Sequence, residues 1–234
     1  KTQKSQLGYQ SALGHYLKNN PDTPLADVAY SLNVTRDNFS YRSFILSDSI
    51  SQASANLLDE NSQGIKSNVL KGVPNELAFL YTGQGAQYLN MGKVLYANES
   101  VYKEAVDTCA NHLIEELDLD IREVLFPESN SKNSIEKLNN TRFTQPALFI
   151  TEYALTQLWL SWGIKPTILC GHSIGEFVAA HISGIFSLKD ALHLIATRGK
   201  LMSELPRGSM LSIRLPLEKL KPMLTKSISI AAIN

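Results

Sequence analysis

The chain has 234 residues, 44% of them apolar and 19% charged, which is enough for one sizeable domain and a smaller one at about 150 residues per domain. Lys plus Arg and Asp plus Glu each total 22, so the net charge is zero, and no global field draws the chain to nucleic acid or to an anionic membrane. The two cysteines, Cys109 and Cys170, stand in apolar runs and read as small buried hydrophobes, with nothing to suggest a disulfide framework or a metal centre. The polar start Lys1-Thr2-Gln3-Lys4-Ser5 lacks the apolar core of a signal peptide, and a cytoplasmic location is expected.

Residues 7–20 suit a helix with Leu7, Leu13, Tyr16 and Leu17 near one face, ending at Asn19-Asn20-Pro21. Asp22-Thr23-Pro24 opens a second helix over 25–32. Phe39 to Leu46 reads as a strand and Ser51 to Leu58 as a helix. The turn-rich stretches 61–64 and 71–74 then mark a border, placed at residue 74. Residues 1–74 form one predicted domain and 75–234 another.

The second domain opens with an apolar strand, Leu77 to Tyr81, running into Gly83-Gln84-Gly85-Ala86-Gln87. That loop has neither the third glycine of a dinucleotide fingerprint nor the Gly-Lys-Ser/Thr of a phosphate loop. It is either a plain turn or a means of bringing a backbone N–H close to a ligand oxygen. Val101, Ala105, Val106, Cys109, Leu113 and Leu117 then repeat at helical spacing, with His112 on the opposite face. Residues 127–140, rich in Ser, Asn and Lys, read as a surface connection. The most apolar helix is expected from Pro146 to Trp162, with Pro146 in its first turn and Gly163 as its stop. It carries Glu152 and is short for a membrane span, so it reads as a core helix behind the sheet.

Thr167 to Cys170 is a further short strand, followed by Gly171-His172-Ser173-Ile174-Gly175-Glu176 and a helix-forming run. Strand, Gly-x-Ser-x-Gly, helix is the order of a nucleophile elbow, in which a tight turn lifts the serine hydroxyl towards a cleft. Ser173-x-x-Glu176 also has the spacing of an ordinary helix cap. His181 shares an apolar helical face with Ile174, Phe177, Val178 and Ile182 and reads as a packed histidine. Ser187-x-x-Asp190 caps the next helix, which carries Leu188, Ala191, Leu192, Ile195 and Met202, with Arg198 at the border of that face and His193 facing solvent. Strands are expected over 210–215 and 228–233, around a short helix at 217–224. The alternation implies an α/β fold, with a mostly parallel sheet covered by helices on both faces.

A serine hydroxyl needs a base, normally histidine, within hydrogen-bond reach. His172 should diverge from Ser173 in the turn, and His181 lies roughly 12 Å along the same helix. His15, His112 and His193 are no better placed. Either the base lies beyond Asn234 or the serine is not catalytic in this chain. Arg198 stays charged beside an apolar face and needs an anion. That anion is either a glutamate such as Glu176 or Glu204, or the carboxylate of a substrate, which a guanidinium fork can hold by two parallel hydrogen bonds.

Four motifs in this order, Phe79-Leu80-Tyr81-Thr82-Gly83-Gln84-Gly85-Ala86-Gln87, Thr144-Gln145-Pro146-Ala147-Leu148-Phe149, Gly171-His172-Ser173-Ile174-Gly175-Glu176 and Arg198-Gly199-Lys200-x-Met202, resemble the malonyl-CoA:acyl carrier protein transacylase family. The resemblance is strongest to the acyltransferase domain of a modular type I polyketide synthase. Residues 21–32 look like the linker that joins ketosynthase and acyltransferase domains. The resemblance implies a hydrolase-like α/β fold after a small α/β linker domain, and a serine ester at Ser173 formed from an acyl-CoA. The acyl group then passes to the phosphopantetheine thiol of an acyl carrier protein. It gives the oxyanion hole to the N–H groups of Gln84 and Ile174, the extender carboxylate to Arg198, and a place near the acyl pocket to Gln145. Ile174 and Phe149 match the malonyl-selective pattern. No bound cofactor or metal is implied, coenzyme A entering only as the thioester substrate, and an adjacent ketosynthase domain is the expected neighbour.

The ferredoxin-like small subdomain and the catalytic histidine of the family fall outside this sequence, so the chain is expected to be an N-terminal portion, inactive alone. Two rivals share parts of the pattern. A serine esterase needs the elbow but not Arg198. A non-catalytic docking remnant needs residues 1–74 but neither Ser173 nor Arg198.

Overall fold

The computed structural model describes residues 2–72, 76–206 and 208–233. The chain divides into two compact units, Lys1–Glu76 and Leu77–Asn234. The predicted border at residue 74 lies outside the described residues.

In the first unit, helices α1 (Gln3–Asn19) and α2 (Leu25–Val34) precede strand β1 (Tyr41–Ile45), helix α3 (Ile50–Leu58) and strand β2 (Ile65–Val69). Ser49 caps α3 by accepting the Gln52 N–H. β1 and β2 pair antiparallel, with Ile45 opposite Ile65. These two isoleucines pack on the small core of Leu17, Ile50, Ala53 and Leu57. β2 went unread in the sequence because its centre is Lys66-Ser67-Asn68, and Ile65 alone in it is packed on that core.

The second unit runs through β3 (Ala78–Tyr81), α4 (Lys93–Asn98), α5 (Ser100–Leu117), α6 (Ile121–Leu125), α7 (Lys132–Leu138), α8 (Thr141–Ser161), β4 (Ile168–Gly171), α9 (Ile174–Ile182), α10 (Leu188–Ser203) and the short α11 (Leu217–Leu220). Its core joins Val106, Cys109, Ala110 and Leu113 of α5 to Ala147, Phe149, Ile150 and Ala154 of α8 and Ala191, Leu192 and Ile195 of α10. Burial pushes the Cys109 thiol up to about 12, so it is inert. The Tyr96 hydroxyl, the Lys103 ammonium and the Arg122 guanidinium converge on Asp107 and tie α4, α5 and α6 together. Burial pushes the Asp107 carboxyl up, but the hydrogen bonds from Lys103, Tyr96 and Arg122 outweigh it and hold the group at about 2.

Several expectations are corrected. α8 begins at Thr141, not Pro146, because the Asn140 side chain accepts the Arg142 N–H and caps the helix a turn and a half earlier. The surface connection 127–140 contains α7, capped by Ser131. Residues 210–215 and 228–233 form no ladder among the described residues, since neither segment has a hydrogen-bonding strand beside it. The parallel sheet of this α/β unit consists, among the described residues, of β3 paired with β4 in the register Ala78 with Ile168 through Tyr81 with Gly171. The period-2 alternation turns Phe79, Tyr81 and Leu169 inward onto the core. It leaves the opposite face exposed, with Leu80 at 76% and Ile168 at 51%. Cys170 is on that exposed face, so only Cys109 is a buried hydrophobe. Among the described residues no helix is long and apolar enough to cross a membrane.

Candidate active site

β4 ends at Gly171 and α9 starts at Ile174, so the chain reverses within His172 and Ser173. Ser173 takes φ 55° and ψ −105°, a conformation that L-residues avoid and that costs of order 1–3 kcal/mol. Close approach on both sides holds it there. A Cβ on Gly171 would come within 2.1 Å of the Gly175 backbone, and one on Gly175 within 2.4 Å of the Tyr81 carbonyl oxygen. The two elbow glycines therefore let β3, β4 and the first turn of α9 stack backbone on backbone. The His172 N–H donates to the Tyr81 carbonyl at 3.1 Å, extending that contact by one residue. Glu176 accepts the Ser173 N–H at 3.3 Å. The turn is thus a strained elbow and a capped helix start at once.

The glycine loop after β3 lies against this turn, for a Cβ on Gly83 would fall 2.6 Å from Nδ1 of His172. The N–H groups of Gln84 and Ile174 donate to no protein group among the described residues. The loop is tethered from one side. The Gln84 side chain donates to the Thr141 hydroxyl at 3.3 Å, and Gln87 donates to Asn139 at 2.8 Å. Thr82, the first residue past β3, donates both its N–H and its hydroxyl to Oε1 of Glu152, each at 2.6 Å. Burial pushes the Glu152 carboxyl up, while the Thr82 hydrogen bonds pull it back. Sequence reading took Glu152 only as a polar interruption in the most apolar helix. A carboxylate in such a helix was the signal that could have marked it.

Arg198 sits on α10 with its guanidinium over the Phe177 ring of α9, 5.7 Å from the centroid. Neither Glu176 nor Glu204 pairs with it, and its Nη1 is buried with no hydrogen-bond partner among the described residues. Gln145 is fully buried on α8, its Nε2 3.3 Å from the sulfur of Met202, one turn past Arg198. Its Oε1 is likewise buried without a partner among the described residues. Phe149 and Ile174 are fully buried, with Phe149 packed against Tyr153 and His181.

The histidines have other occupations. His181 is packed as expected, with Nδ1 3.0 Å from the Phe186 carbonyl oxygen and its ring against Tyr153. His193, exposed as expected, meets Glu116 at 2.5 Å. No histidine hydrogen-bonds Ser173 among the described residues. Nor do His, Cys, Asp and Glu side chains gather there into a metal site.

Residues 78–234 match the acyl transferase domain family. The chain belongs to that family. Residues 1–57 match a second family, the CurL-like C-terminal region of polyketide synthases. Mycoketide-CoA synthase of Mycobacterium tuberculosis is 34% identical over all of this chain, which spans 6% of that protein. The solved acyl transferase domain of ZmaA superposes with a TM-score of 0.89 at 38% identity, over 95% of this chain and 51% of that one. The malonyl CoA-acyl carrier protein transacylase of Clostridium perfringens superposes with a TM-score of 0.52 at 33% identity, over 63% of this chain and 45% of that one. The chain thus has the α/β fold of polyketide synthase acyltransferase domains and spans about half the length of the solved examples.

Proposed function

We propose that residues 77–234 carry the nucleophile and the acyl-binding side of an acyltransferase that loads malonyl from malonyl-CoA and delivers it to an acyl carrier protein. The observation that carries this reading is Arg198, a guanidinium with a buried Nη1 that finds no anion among the described residues. Burying part of a cation without a partner is costly, and a ligand carboxylate offsets that cost. Phe177, under the guanidinium, belongs to α9, the helix that Ser173 precedes, so an anion held there lies beside the elbow's own helix. The Clostridium perfringens relative is a malonyl CoA-acyl carrier protein transacylase, which fits the same chemistry.

In this mechanism Oγ of Ser173 attacks the thioester carbonyl while a base takes its proton. The carbonyl oxygen becomes an oxyanion that the open N–H groups of Gln84 and Ile174 receive, with the positive end of α9 behind them. The carbon–sulfur bond then breaks, coenzyme A leaves as the thiol carrying the proton, and the malonyl ester remains on Ser173. The phosphopantetheine thiol attacks that ester and regenerates the serine by the reverse sequence. Gln145, buried on α8 with its amide against Met202, is assigned to the acyl pocket. The base comes from polypeptide other than residues 1–234, because each histidine here is engaged or placed elsewhere.

Arg198→Ala in the complete domain is expected to slow malonyl loading roughly 30- to 1,000-fold, the effect of losing a charge-assisted pair of about 2–4 kcal/mol. Acetyl loading, with no carboxylate to hold, should change little. Parallel single-turnover loading from the two thioesters measures the ratio. Equal losses for both would make Arg198 structural and remove the support for malonyl.

A further inference from the structure

We propose that Glu152 is a positioning residue for acyl transfer, clamping Thr82 so that the loop it opens presents the Gln84 N–H to the oxyanion. This rests on the assignment of Ser173 and Gln84 above.

Within itself the loop has one hydrogen bond among the described residues, from the Gly85 N–H to the Gln87 side chain at 2.7 Å, and this does not hold the Gln84 N–H. Thr82 is where the β3 ladder stops, and the residues on either side of Gln84 are glycines, Gly85 with φ 118°. Such a backbone has wide freedom, and a donor three residues past the last ladder position drifts unless something outside the loop fixes it. The hydrogen bonds recorded from Thr82 both end on Oε1 of Glu152. Holding the N–H and the hydroxyl of one residue on one oxygen fixes that residue's orientation as well as its position. No Lys, Arg or His pairs with Glu152 among the described residues, and its Oε2 is buried there without a partner. A carboxylate in the most apolar helix weakens the core it interrupts. Packing alone would favour an apolar side chain there, so the clamp on Thr82 is what the carboxylate contributes. The other tethers, Thr141 and Asn139, hold Gln84 and Gln87 by their flexible side chains. Among the described residues the Glu152 clamp is the one tether from outside the loop that grips its backbone directly.

The test uses the complete acyltransferase domain and four variants, Glu152→Ala, Glu152→Gln, Thr82→Val and the Thr82→Val/Glu152→Ala pair. Steady-state kcat and KM are measured with malonyl-CoA and with acetyl-CoA. Glu152→Ala is expected to lower kcat about 100-fold, the scale of a misplaced or lost oxyanion donor, with KM little changed. The loss should be equal for both acyl groups, because the oxyanion is common to them. Glu152→Gln keeps an acceptor oxygen for Thr82 and should recover most of kcat. Thr82→Val, which removes one of the two donors, should cost about 5-fold, and adding it to Glu152→Ala should cost nothing more. A wild-type kcat in Glu152→Ala, a loss confined to KM or to malonyl, or a Gln variant as slow as the Ala variant would overturn the proposal. If the Ala variant does not fold, wild-type kcat in Thr82→Val overturns it. Failure of the underlying reading shows differently, as a wild-type domain that forms no acyl adduct on Ser173.

Discussion

Ser173→Ala is expected to lower malonyl transfer by the complete domain about a million-fold, the scale on which a serine triad collapses when its nucleophile is lost. The fold should survive. Alanine keeps the Cβ, and the strain at φ 55° is a matter of Cβ and backbone that the hydroxyl does not relieve. The stacking of Gly171 and Gly175 against neighbouring backbone is untouched, as is the bond from the residue 173 N–H to Glu176. Thermal melting should therefore coincide with wild type while single-turnover loading disappears. Undiminished loading would remove the nucleophile from Ser173.

A loss of similar size is expected for residues 1–234 taken alone. Of the five histidines, His181 is packed against Phe149 and Tyr153 and engaged with Phe186, and His193 is engaged with Glu116. His112 is exposed on α5, and His15 belongs to the first unit. His172 follows β4 directly, but its ring lies against Gly83. Without a base the hydroxyl stays protonated and the leaving thiolate receives no proton, which lowers turnover by about six orders of magnitude. Single-turnover loading of labelled malonyl-CoA onto residues 1–234 and onto the complete domain, side by side, reads the difference. Rapid loading of residues 1–234 alone would make one of these histidines the base, with His172 the first to substitute.

The elbow was legible because it is local: a strand, two obligatory glycines and a helix start occupy nine consecutive residues. The backbone strain at Ser173 and the identity of what each glycine touches were not, since Tyr81 is far away in sequence. Arg198 could be placed at the edge of a helical face by periodicity, but periodicity could not choose between a glutamate and a ligand. What the fold adds is that no carboxylate pairs with Arg198 among the described residues. Pro146 misled because proline marks a first helical turn, whereas the Asn140 cap overrode it. The expected strands at 210–215 and 228–233 had the right composition and, among the described residues, no neighbour to pair with. Glu152 stayed unread because its partner Thr82 is brought to it by β3 and α8 together, a contact that no spacing in the sequence encodes.

The most direct measurement is the site of the acyl group itself. The complete domain is mixed briefly with malonyl-CoA, quenched in acid, digested, and the peptide spanning β4 and α9 is sequenced by tandem mass spectrometry. That peptide offers two nucleophiles three residues apart, the Ser173 hydroxyl and the exposed thiol of Cys170. A malonyl ester on Oγ of Ser173, absent from Ser173→Ala, is the expected result. A thioester on Cys170, or malonyl on any residue other than Ser173, would contradict it.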